Sequence, residues 1–258
     1  MPLPPGYSES IRIGDRVAPV EAAWRYFAEM DGEHRVLPDG RCDLILRFHS
    51  DGESALGDVV PVIAGPATRF HLVPLAGNTA FVGVRLRPGI ARAVLGIELA
   101  PLVNRVFVGQ DTLALIPALS QLRLCGLSIE QIAAQLDAFV AERCSGAVID
   151  LVALSLIDSF HVTGGRVSVE DVARSHGVHP KTVRRKISGA TGLTPKQYTS
   201  IVRFHRALRL RRDAGLDAVA AAFEAGFADQ PHMSRTFRHM GGISAAKPVT
   251  SVLAGLPI

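Results

Sequence analysis

The side chains best suited to specific chemistry lie on a short basic segment near residue 180. Lys181, Arg184 and Arg185 recur at a spacing that places them on one side of a helix, opposite the apolar Val183 and Ile187. An arginine guanidinium can donate two parallel hydrogen bonds to O6 and N7 of guanine, whereas a lysine ammonium acts more as a point charge. The segment therefore predicts contacts with bases or phosphates, and the alternative is a solvated helix face without a partner.

The rest of the sequence carries few signs of catalysis. It contains no GxSxG nucleophile motif, no phosphate-binding P-loop and no GxGxxG motif followed by the acidic residue of a dinucleotide site. His34, His49 and His71 are separated by 15 and 22 residues, a spacing that matches no compact metal motif. We therefore predict structural or surface roles for these histidines, with no metal ion and no cofactor.

Charged residues in the N-terminal half leave two alternatives open. Asp39 and Asp43 form a candidate carboxylate pair, although roles in a turn and at a strand edge are favoured. Arg85 and Arg87 could bind an anionic effector, although a structural ion pair is favoured. Neither pair identifies a ligand.

The net charge changes sign along the chain. Residues 161–258 contain 15 Lys and Arg against 6 Asp and Glu, a net charge of +9, whereas residues 1–160 contain 13 against 18, a net charge of −5. All four lysines and six of the nine histidines lie in the second part. This asymmetry predicts that only the C-terminal part faces a polyanion.

Length and composition are those of a folded globular protein. The 258 residues favour two domains, and 48% apolar with 20% charged residues excludes wholesale disorder. No stretch approaches the ~18 uninterrupted apolar residues of a membrane span, and the N-terminus lacks the features of a signal peptide. We therefore expect a cytoplasmic protein without membrane contact.

Residues 1–86 have the pattern of strands and turns. Apolar residues alternate over 42–48 and again over 79–86, which is the two-residue period of a strand, and 59–64 predicts another strand. The exception is the segment 20–30, where helix-compatible residues predict one short helix.

From residue 88 the pattern changes to helical spacing. Such spacing occurs over the segments 90–96, 111–122, 128–142 and 145–160. The segment 161–166 follows and contains Thr163-Gly164-Gly165, which predicts a boundary. We therefore predict two domains, 1–160 and 161–258.

Two similar units follow this boundary. Ser168 begins a helix with acidic residues in its first turn, Gly177 ends it, and a second helix carries the basic face. A short helix, a glycine turn and a basic second helix form a helix-turn-helix, whose second helix enters the major groove of DNA. The pattern repeats about fifty residues later over 217–224 and 229–240, and a long helix 195–212 joins the units.

The second unit contains the most specific motif. Segment 226–238 reads Gly-Phe-Ala-Asp-Gln-Pro-His-Met-Ser-Arg-Thr-Phe-Arg. It is similar to the Gly-Phe-x-Asp-Gln-x-His-Phe-x-Arg-x-Phe signature of the AraC/XylS-type transcription regulators, with Met233 in place of phenylalanine. Residues 192–195 and Tyr198 match the family's segment after the first recognition helix, and the resemblance covers about residues 167–246. The sequence departs from the family at positions usually held by serine, a bulky aliphatic and proline, which here are His179, Ala221 and Ala245.

The resemblance implies roles for individual side chains. The base-facing positions of the first unit are Lys181, Thr182, Arg184 and Arg185. Those of the second unit are Gln230, His232, Ser234 and Arg235. Glutamine can pair with adenine through two hydrogen bonds, and arginine can read guanine. Phosphate contacts fix the register without reading sequence, and we assign them to Lys186, Lys196 and Arg238.

The N-terminal part carries a second resemblance. Residues 34–45, 65–66 and 83–89 resemble a poorly characterised domain found in front of such DNA-binding domains. This resemblance implies an α+β N-terminal domain that is β-rich, partly cupin-like and extended by a helical tail. An all-α C-terminal domain with two helix-turn-helix units completes the predicted fold. The resemblance names no ligand.

Together these features predict a transcription regulator rather than an enzyme. Domain 1–160 would serve sensing or oligomerisation, and the recognition helices of 161–258 would enter adjacent major-groove segments of double-stranded DNA. RNA polymerase, an unidentified small-molecule or protein effector and a second copy of the chain are candidate partners. The alternative is a small-molecule-binding or cupin-like enzyme whose basic C-terminal domain docks onto a partner.

Overall fold

The computed structural model describes residues 6–11 and 18–245. Its N-terminal part is built mainly from strands, as predicted, and these strands pair antiparallel. The strands are β1 (Tyr7–Ile11), β2 (Val20–Ala28), β3 (Gly32–Val36), β4 (Cys42–Ser50), β5 (Ala55–Ala64), β6 (His71–Leu75), β7 (Thr79–Leu86) and β8 (Val106–Val108). A six-stranded sheet has the order β1-β2-β7-β4-β5-β8, and β3 pairs with β6 in a separate two-stranded sheet.

The prediction of a helix over residues 20–30 is wrong, because this segment forms strand β2. β2 pairs with β1 on one side and with β7 on the other, so that Trp24 stands opposite both Glu9 and Gly83. Aromatic residues fit the surface of a sheet well, and the Trp24 indole lies over Gly83, where a Cβ atom would come within 2.3 Å of the ring. Pairing with two neighbouring strands therefore outweighs the helix-compatible spacing.

A helical tail follows the sheet. It consists of α1 (Ala91–Leu95), α2 (Gln110–Leu115), α3 (Ile129–Ser145) and α4 (Leu151–Val162). The predicted segment 111–122 divides into α2 and a 3-10 turn over Pro117–Gln121. α3 begins with a reciprocal cap, because Ser128 Oγ accepts from the Gln131 amide and Gln131 Oε1 accepts from the Ser128 amide.

The sheet and its helical tail enclose one apolar core. The alternating residues of the two central strands, Leu44 and Leu46 of β4 with Val82 and Val84 of β7, are at most 2% exposed. They pack in one cluster with apolar residues of α1 and α3. The two-residue period seen in the sequence thus marks the sheet face that the helices cover.

The C-terminal part is helical and contains both predicted helix-turn-helix units. The first unit consists of α5 (Val169–Ser175) and α6 (Pro180–Thr191). The long helix α7 (Pro195–Arg212) follows. The second unit consists of α8 (Ala218–Ala225) and α9 (Gln230–Thr236), which continues as a π-helical turn over Phe237–Gly241.

These helices and α4 share a second core. Its fully buried members include Phe160 of α4, Ile187 of α6, Phe204 of α7 and Phe237 of the π-helical turn. α4 begins before the predicted boundary at residue 160, yet it contributes to the core of the helix-turn-helix region. The domain boundary itself stays a prediction.

One loop of the N-terminal part, residues 37–41, lies against α7. Leu37 is buried in the C-terminal core. Gly40 faces the first turns of α7 and the residues before it, since a Cβ atom there would lie 3.3–3.6 Å from the side chains of Leu193, Ile201 and Tyr198. His205 Nε2 donates to the carbonyl oxygen of Pro38 at 2.6 Å. The loop therefore connects the sheet to the helix that joins the two units.

Arg41 anchors this loop to strand β2. Its guanidinium forms two hydrogen bonds with the Glu21 carboxylate, at 2.5 and 2.9 Å, and Nη1 donates to the Asp39 carbonyl at 2.8 Å. Both partners of the ion pair are buried, and paired bonds between charged groups are among the strongest in proteins. Burial alone would raise the pKa of Glu21, but Arg41 outweighs burial and the pKa is lowered. Glu21 is therefore ionised.

His205 makes the contact between this loop and α7 sensitive to acid. Burial lowers the pKa of His205 to about 3 from its usual 6.5, although the hydrogen bond to Pro38 acts in the opposite direction. The unfolded chain takes up this proton below pH ~6.5. The stability that neutral His205 supports is therefore complete above that pH and is lost as the pH falls. Between pH 7 and pH 5, we expect wild type to lose about 2 kcal/mol of unfolding free energy relative to His205→Gln.

Urea unfolding at both pH values measures this difference. The glutamine amide can still donate to Pro38, so the variant keeps the hydrogen bond without the titration. The comparison also cancels other buried groups that titrate in both proteins, such as His161, whose pKa burial lowers to about 3, and Asp43, whose pKa burial raises to about 7. The same pH dependence in the two proteins would contradict a neutral His205.

Candidate nucleic-acid interface

The recognition helix of the first unit, α6, is oriented by its cap and by two buried residues. His179 Nδ1 accepts a hydrogen bond from the Lys181 amide at 3.1 Å, so histidine caps this helix where the family pattern has serine. Pro180 occupies the first helical position, where no amide donor is needed. Val183 and Ile187 are fully buried. The opposite face of α6 therefore faces solvent.

The predicted base-contacting residues of the first unit lie on this solvent face. Lys181, Arg184 and Arg185 are exposed, and Thr182 is partly buried. Arg184 pairs with Glu170 of α5, with 2.6 Å between Nη2 and Oε1. Arg185 has no ion-pair partner in the part of the chain that the structure describes, so its guanidinium is available to an external acceptor.

Lys186, a predicted phosphate contact, is tied to the residue that precedes α4. Its Nζ lies 2.5 Å from Oδ2 of Asp150. Asp150 also caps α4, because its Oδ1 accepts from the Ala153 amide at 3.0 Å. Sequence reasoning missed Asp150 and Glu170 as partners, since each stands 14 or more residues from its cation. An incoming phosphate must compete with both carboxylates.

The recognition helix of the second unit, α9, is fixed in the same way. Asp229 caps it by accepting from the His232 amide at 2.6 Å. Met233, which stands where the family signature has phenylalanine, is fully buried beneath the helix. Arg235 and Arg238 are exposed on the outer side. α9 and the turn that continues it therefore present two arginines to solvent.

The other predicted base-contacting residues of the second unit are engaged within that unit. Gln230 Nε2 donates to Ser234 Oγ at 2.8 Å, and the His232 ring packs edge-on against Phe227 at 5.3 Å between centroids. Gln230, His232 and Ser234 are all partly buried. Gln230 can read a base only if its bond to Ser234 is exchanged or shared.

α7 connects the two units as one continuous helix. Its 18 residues extend about 27 Å. The apolar stripe predicted from the sequence is buried, namely Tyr198, Ile201, Val202 and Leu208. Arg203 reaches the turn of the second unit, where Nη1 donates to the Gly226 carbonyl at 3.4 Å and the guanidinium lies 6.0 Å from the Phe227 ring centre. Lys196, the remaining predicted phosphate contact, is exposed in the first turn.

The charged residues of the N-terminal part form a buried ion-pair cluster. Arg85 lies 2.8 Å from Glu9, 3.2 Å from Asp39 and 3.5 Å from Asp43, and its side chain is 7% exposed. Three carboxylates around one guanidinium leave no place for an anionic effector, so for Arg85 the structural ion pair is the correct alternative. Arg87 donates to the Ala18 carbonyl at 3.0 Å. Asp39 and Asp43 both face Arg85 rather than an open cleft.

Two of the three N-terminal histidines, His34 and His71, lie on the paired strands β3 and β6, and His49 lies on β4 of the other sheet. His34 is half-buried beside the Tyr26 ring at 5.9 Å, and burial lowers its pKa to about 4. His49 is exposed on β4, and His71 lies on β6. Within residues 6–11 and 18–245, no three His, Cys, Asp or Glu side chains are grouped so as to hold a metal ion.

The helices in those same ranges include none with the length and apolar content that crossing a membrane requires.

Two protein families match separate parts of the chain. A helix-turn-helix domain family matches residues 172–247, and a domain family of unknown function matches residues 18–107. These ranges cover most of the sheet and both helix-turn-helix units apart from the start of α5. The sheet is therefore a domain that recurs in other proteins.

Curated relatives match this chain over segments of 69 and 78 residues. The HTH-type transcriptional activator RhaS of Klebsiella pneumoniae (strain 342) is 36% identical over 69 residues, 27% of this chain and 25% of that protein. RhaS of Escherichia fergusonii is 36% identical over 78 residues, 30% of this chain and 28% of that protein. The match thus spans about a quarter of the length of these curated relatives. The solved structure of ToxT from Vibrio cholerae is 10% identical with a TM-score of 0.44, and the similarity covers 93% of this chain and 96% of ToxT.

Neighbouring cations on α6 are expected to act differently on duplex DNA. Arg185 forms no ion pair with the described residues and can read guanine, so Arg185→Ala should weaken binding to a preferred duplex by about 1–3 kcal/mol and relax specificity at one position. Lys186 faces a carboxylate and acts as a point charge, so Lys186→Ala should weaken all duplexes about equally. Binding selections from a random-sequence library, followed by titrations, compare the two variants. Identical specificity profiles would contradict this division of roles.

Proposed function

We propose that this chain, whose residues 172–247 match a helix-turn-helix domain family, is a sequence-specific DNA-binding regulator of transcription of the AraC/XylS type. The observation that carries the proposal is the pair of complete helix-turn-helix units joined by α7. Each unit buries the apolar side of its second helix and presents cations on the other side. Such helices enter the major groove, and two units can read two adjacent groove segments.

Base recognition falls to side chains of the two recognition helices. In the first unit these are Lys181, Thr182, Arg184 and Arg185, and in the second Gln230, His232, Ser234 and Arg235. Arginine suits guanine and glutamine suits adenine, because each can form two hydrogen bonds with the base edge. Lys186, Lys196 and Arg238 hold phosphates and fix the register.

We call strands β1 to β8 and the segments that connect them the sheet domain. In this proposal it is a sensing or oligomerisation module. Its contacts with α7 offer a route by which an effector or a second copy could alter the DNA-binding region. In this proposal the chain acts in the cytoplasm without catalysis, and RNA polymerase is a further partner. RhaS, which matches 69 residues of this chain, is named as a transcriptional activator.

The salt dependence of DNA binding tests this function. The full chain is the right reagent, since α4 supplies Phe160 and neighbouring residues to the helix-turn-helix core. With roughly 5–8 phosphate contacts, log K should fall with log salt at a slope of about −0.9 per contact. Fluorescence anisotropy with a labelled duplex at several salt concentrations measures the slope.

A matched variant distinguishes the proposed interface from general charge. Arg238→Ala removes a phosphate contact and should reduce the slope by about 1. Arg25→Ala removes a half-exposed cation from strand β2 and should leave the slope unchanged. Binding that does not depend on salt, or no binding at low salt, would refute the proposed function.

The Asp150–Lys186 pair yields a separate prediction. Asp150→Asn keeps the cap of α4, because asparagine caps helices as well as aspartate. It frees Lys186 and removes a negative charge near an incoming phosphate. Since half-exposed ion pairs contribute at most about 1 kcal/mol, affinity for any duplex should rise by roughly two- to fivefold. Glu130→Gln removes one negative charge near Arg25 instead and should change affinity little. Equal effects of both variants would contradict a local role for Asp150.

A further inference from the structure

Three glycines in the left-handed conformation lie where the N-terminal part touches the helix-turn-helix region. They are Gly192 after α6, Gly40 in the loop against α7, and Gly242 after the π-helical turn, with φ values of 74°, 69° and 61°. One contact involves the first unit, one the joining helix and one the second unit. We propose that the sheet domain braces both units and thereby fixes the distance and rotation between the two recognition helices. This inference rests on the proposed function.

The first contact seats the end of α6 on the backbone that follows α1. A Cβ atom on Gly192 would lie 2.8 Å from both the carbonyl carbon and oxygen of Leu99 and 3.0 Å from the Ala100 nitrogen. Backbone atoms cannot yield as a flexible side chain does. Only glycine allows this approach, so the C-terminal end of the first recognition helix has one position relative to the sheet domain.

The second contact holds the middle of the assembly. Gly40 lies against Leu193, Tyr198 and Ile201, and Leu37 enters the same core. The ion pair of Arg41 with Glu21 fixes the loop to the sheet. α7 is therefore attached along its first three turns to the domain that also holds α6.

The third contact joins the sheet domain to the C-terminal end of the second unit. Phe70, which precedes β6, donates its backbone amide to the Met240 carbonyl at 2.7 Å. Arg35 of β3 donates to the Gly242 carbonyl at 3.3 Å and lies over the Phe70 ring at 5.2 Å. A Cβ atom on Gly242 would come within 2.6 Å of that ring. The second unit is thus held at one end through α7 and at the other by the sheet domain.

This geometry has a consequence for DNA. One inserted base pair between two half-sites turns the second by about 34° and moves it by about 3.4 Å. A second unit held only through α7 could follow part of that rotation by bending at the connection between α7 and α8. A unit held at both ends cannot, so the brace makes the spacing between half-sites part of the recognised sequence.

Distance measurements between the recognition helices test the brace without DNA. Nitroxide labels at Ser188→Cys and His239→Cys, in a background with Cys125→Ser and Cys144→Ser, report on α6 and on the π-helical turn. Cys42 is buried and can stay. Pulsed electron paramagnetic resonance should give one narrow distance distribution for the braced chain.

Two variants weaken the side-chain packing of the third contact from opposite sides. Phe70→Ala removes the ring from the sheet domain, and Gly242→Ala drives a methyl group against it. Both should broaden and shift the distance distribution. Gly96→Ala is the matched control, because Gly96 is also left-handed, at φ 72°, but its Cβ atom would meet only the end of the Arg143 side chain, at 3.1 Å. A distribution as narrow as wild type in either folded variant would overturn the brace, and two variants guard against one failing to fold.

A DNA experiment separates this inference from the proposed function. Duplexes selected from a random library with the wild-type chain are remade with one base pair inserted between the half-sites. Wild type should lose about tenfold in affinity, the scale of a mismatched base pair, and Phe70→Ala should lose less. An equal loss in both proteins would also overturn the brace and leave the proposed function intact. Failure to select any duplex would refute the proposed DNA-binding function. The distance measurement, which uses no DNA, would still test whether the sheet domain fixes the two recognition helices.

Discussion

The position of loop 37–41 against α7 is the constraint on which the arrangement of the two parts depends. The loop brings a buried guanidinium to the boundary between the sheet and the helices, and this group is acceptable there only because Glu21 and the Asp39 carbonyl satisfy it. Replacing a buried ion pair by apolar residues can be neutral, but removing one partner leaves an uncompensated charge and is strongly destabilising. The pair therefore specifies where the loop lies more than it adds to stability.

Burial divides the charges of this protein into two groups with different roles. Arg41 and Arg85 are buried and paired with carboxylates, so they cannot reach a ligand. Arg184 and Lys186 are also paired, but their side chains are 53% and 30% exposed. Such pairs contribute little in water, so a polyanion can replace the carboxylates at small cost. The second group is thus shielded in the free protein and still available to a polyanion.

Local signals in the sequence are sufficient for the helix-turn-helix region. Ser168, Thr194, Asp217 and Asp229 each cap a helix as side-chain chemistry predicts. The spacing of apolar residues along α7 identifies its buried stripe, because a helix repeats every 3.6 residues wherever it packs. The strands with clean alternation, β4 and β7, are predictable from their own two-residue period.

Local signals do not predict the long-range contacts of this protein. The sequence predicts a helix for β2 because its partners, β1 and β7, lie elsewhere in the chain. Residues 38–40 are readable as a turn, but their contact with α7 involves residues more than 150 positions away. The partners of Arg184 and Lys186 are set by the packing of α5 and α4 against α6. The sequence therefore predicts which side chains are proposed to face DNA better than it predicts the residues that those side chains contact.

Leu37 has a consequence for how the chain reaches its folded state. It belongs to a core whose other buried members follow residue 150, and the adjacent Pro38 bonds to His205, 167 residues later. During synthesis the sheet can pair its strands well before α7 leaves the ribosome, and until then Leu37 has no core to enter. Contacts of such high sequence separation form slowly and leave apolar surface open in the meantime. The loop that joins the two parts is therefore also among the last elements to be completed, and until α7 arrives Leu37 adds to the exposed apolar surface through which nascent chains aggregate.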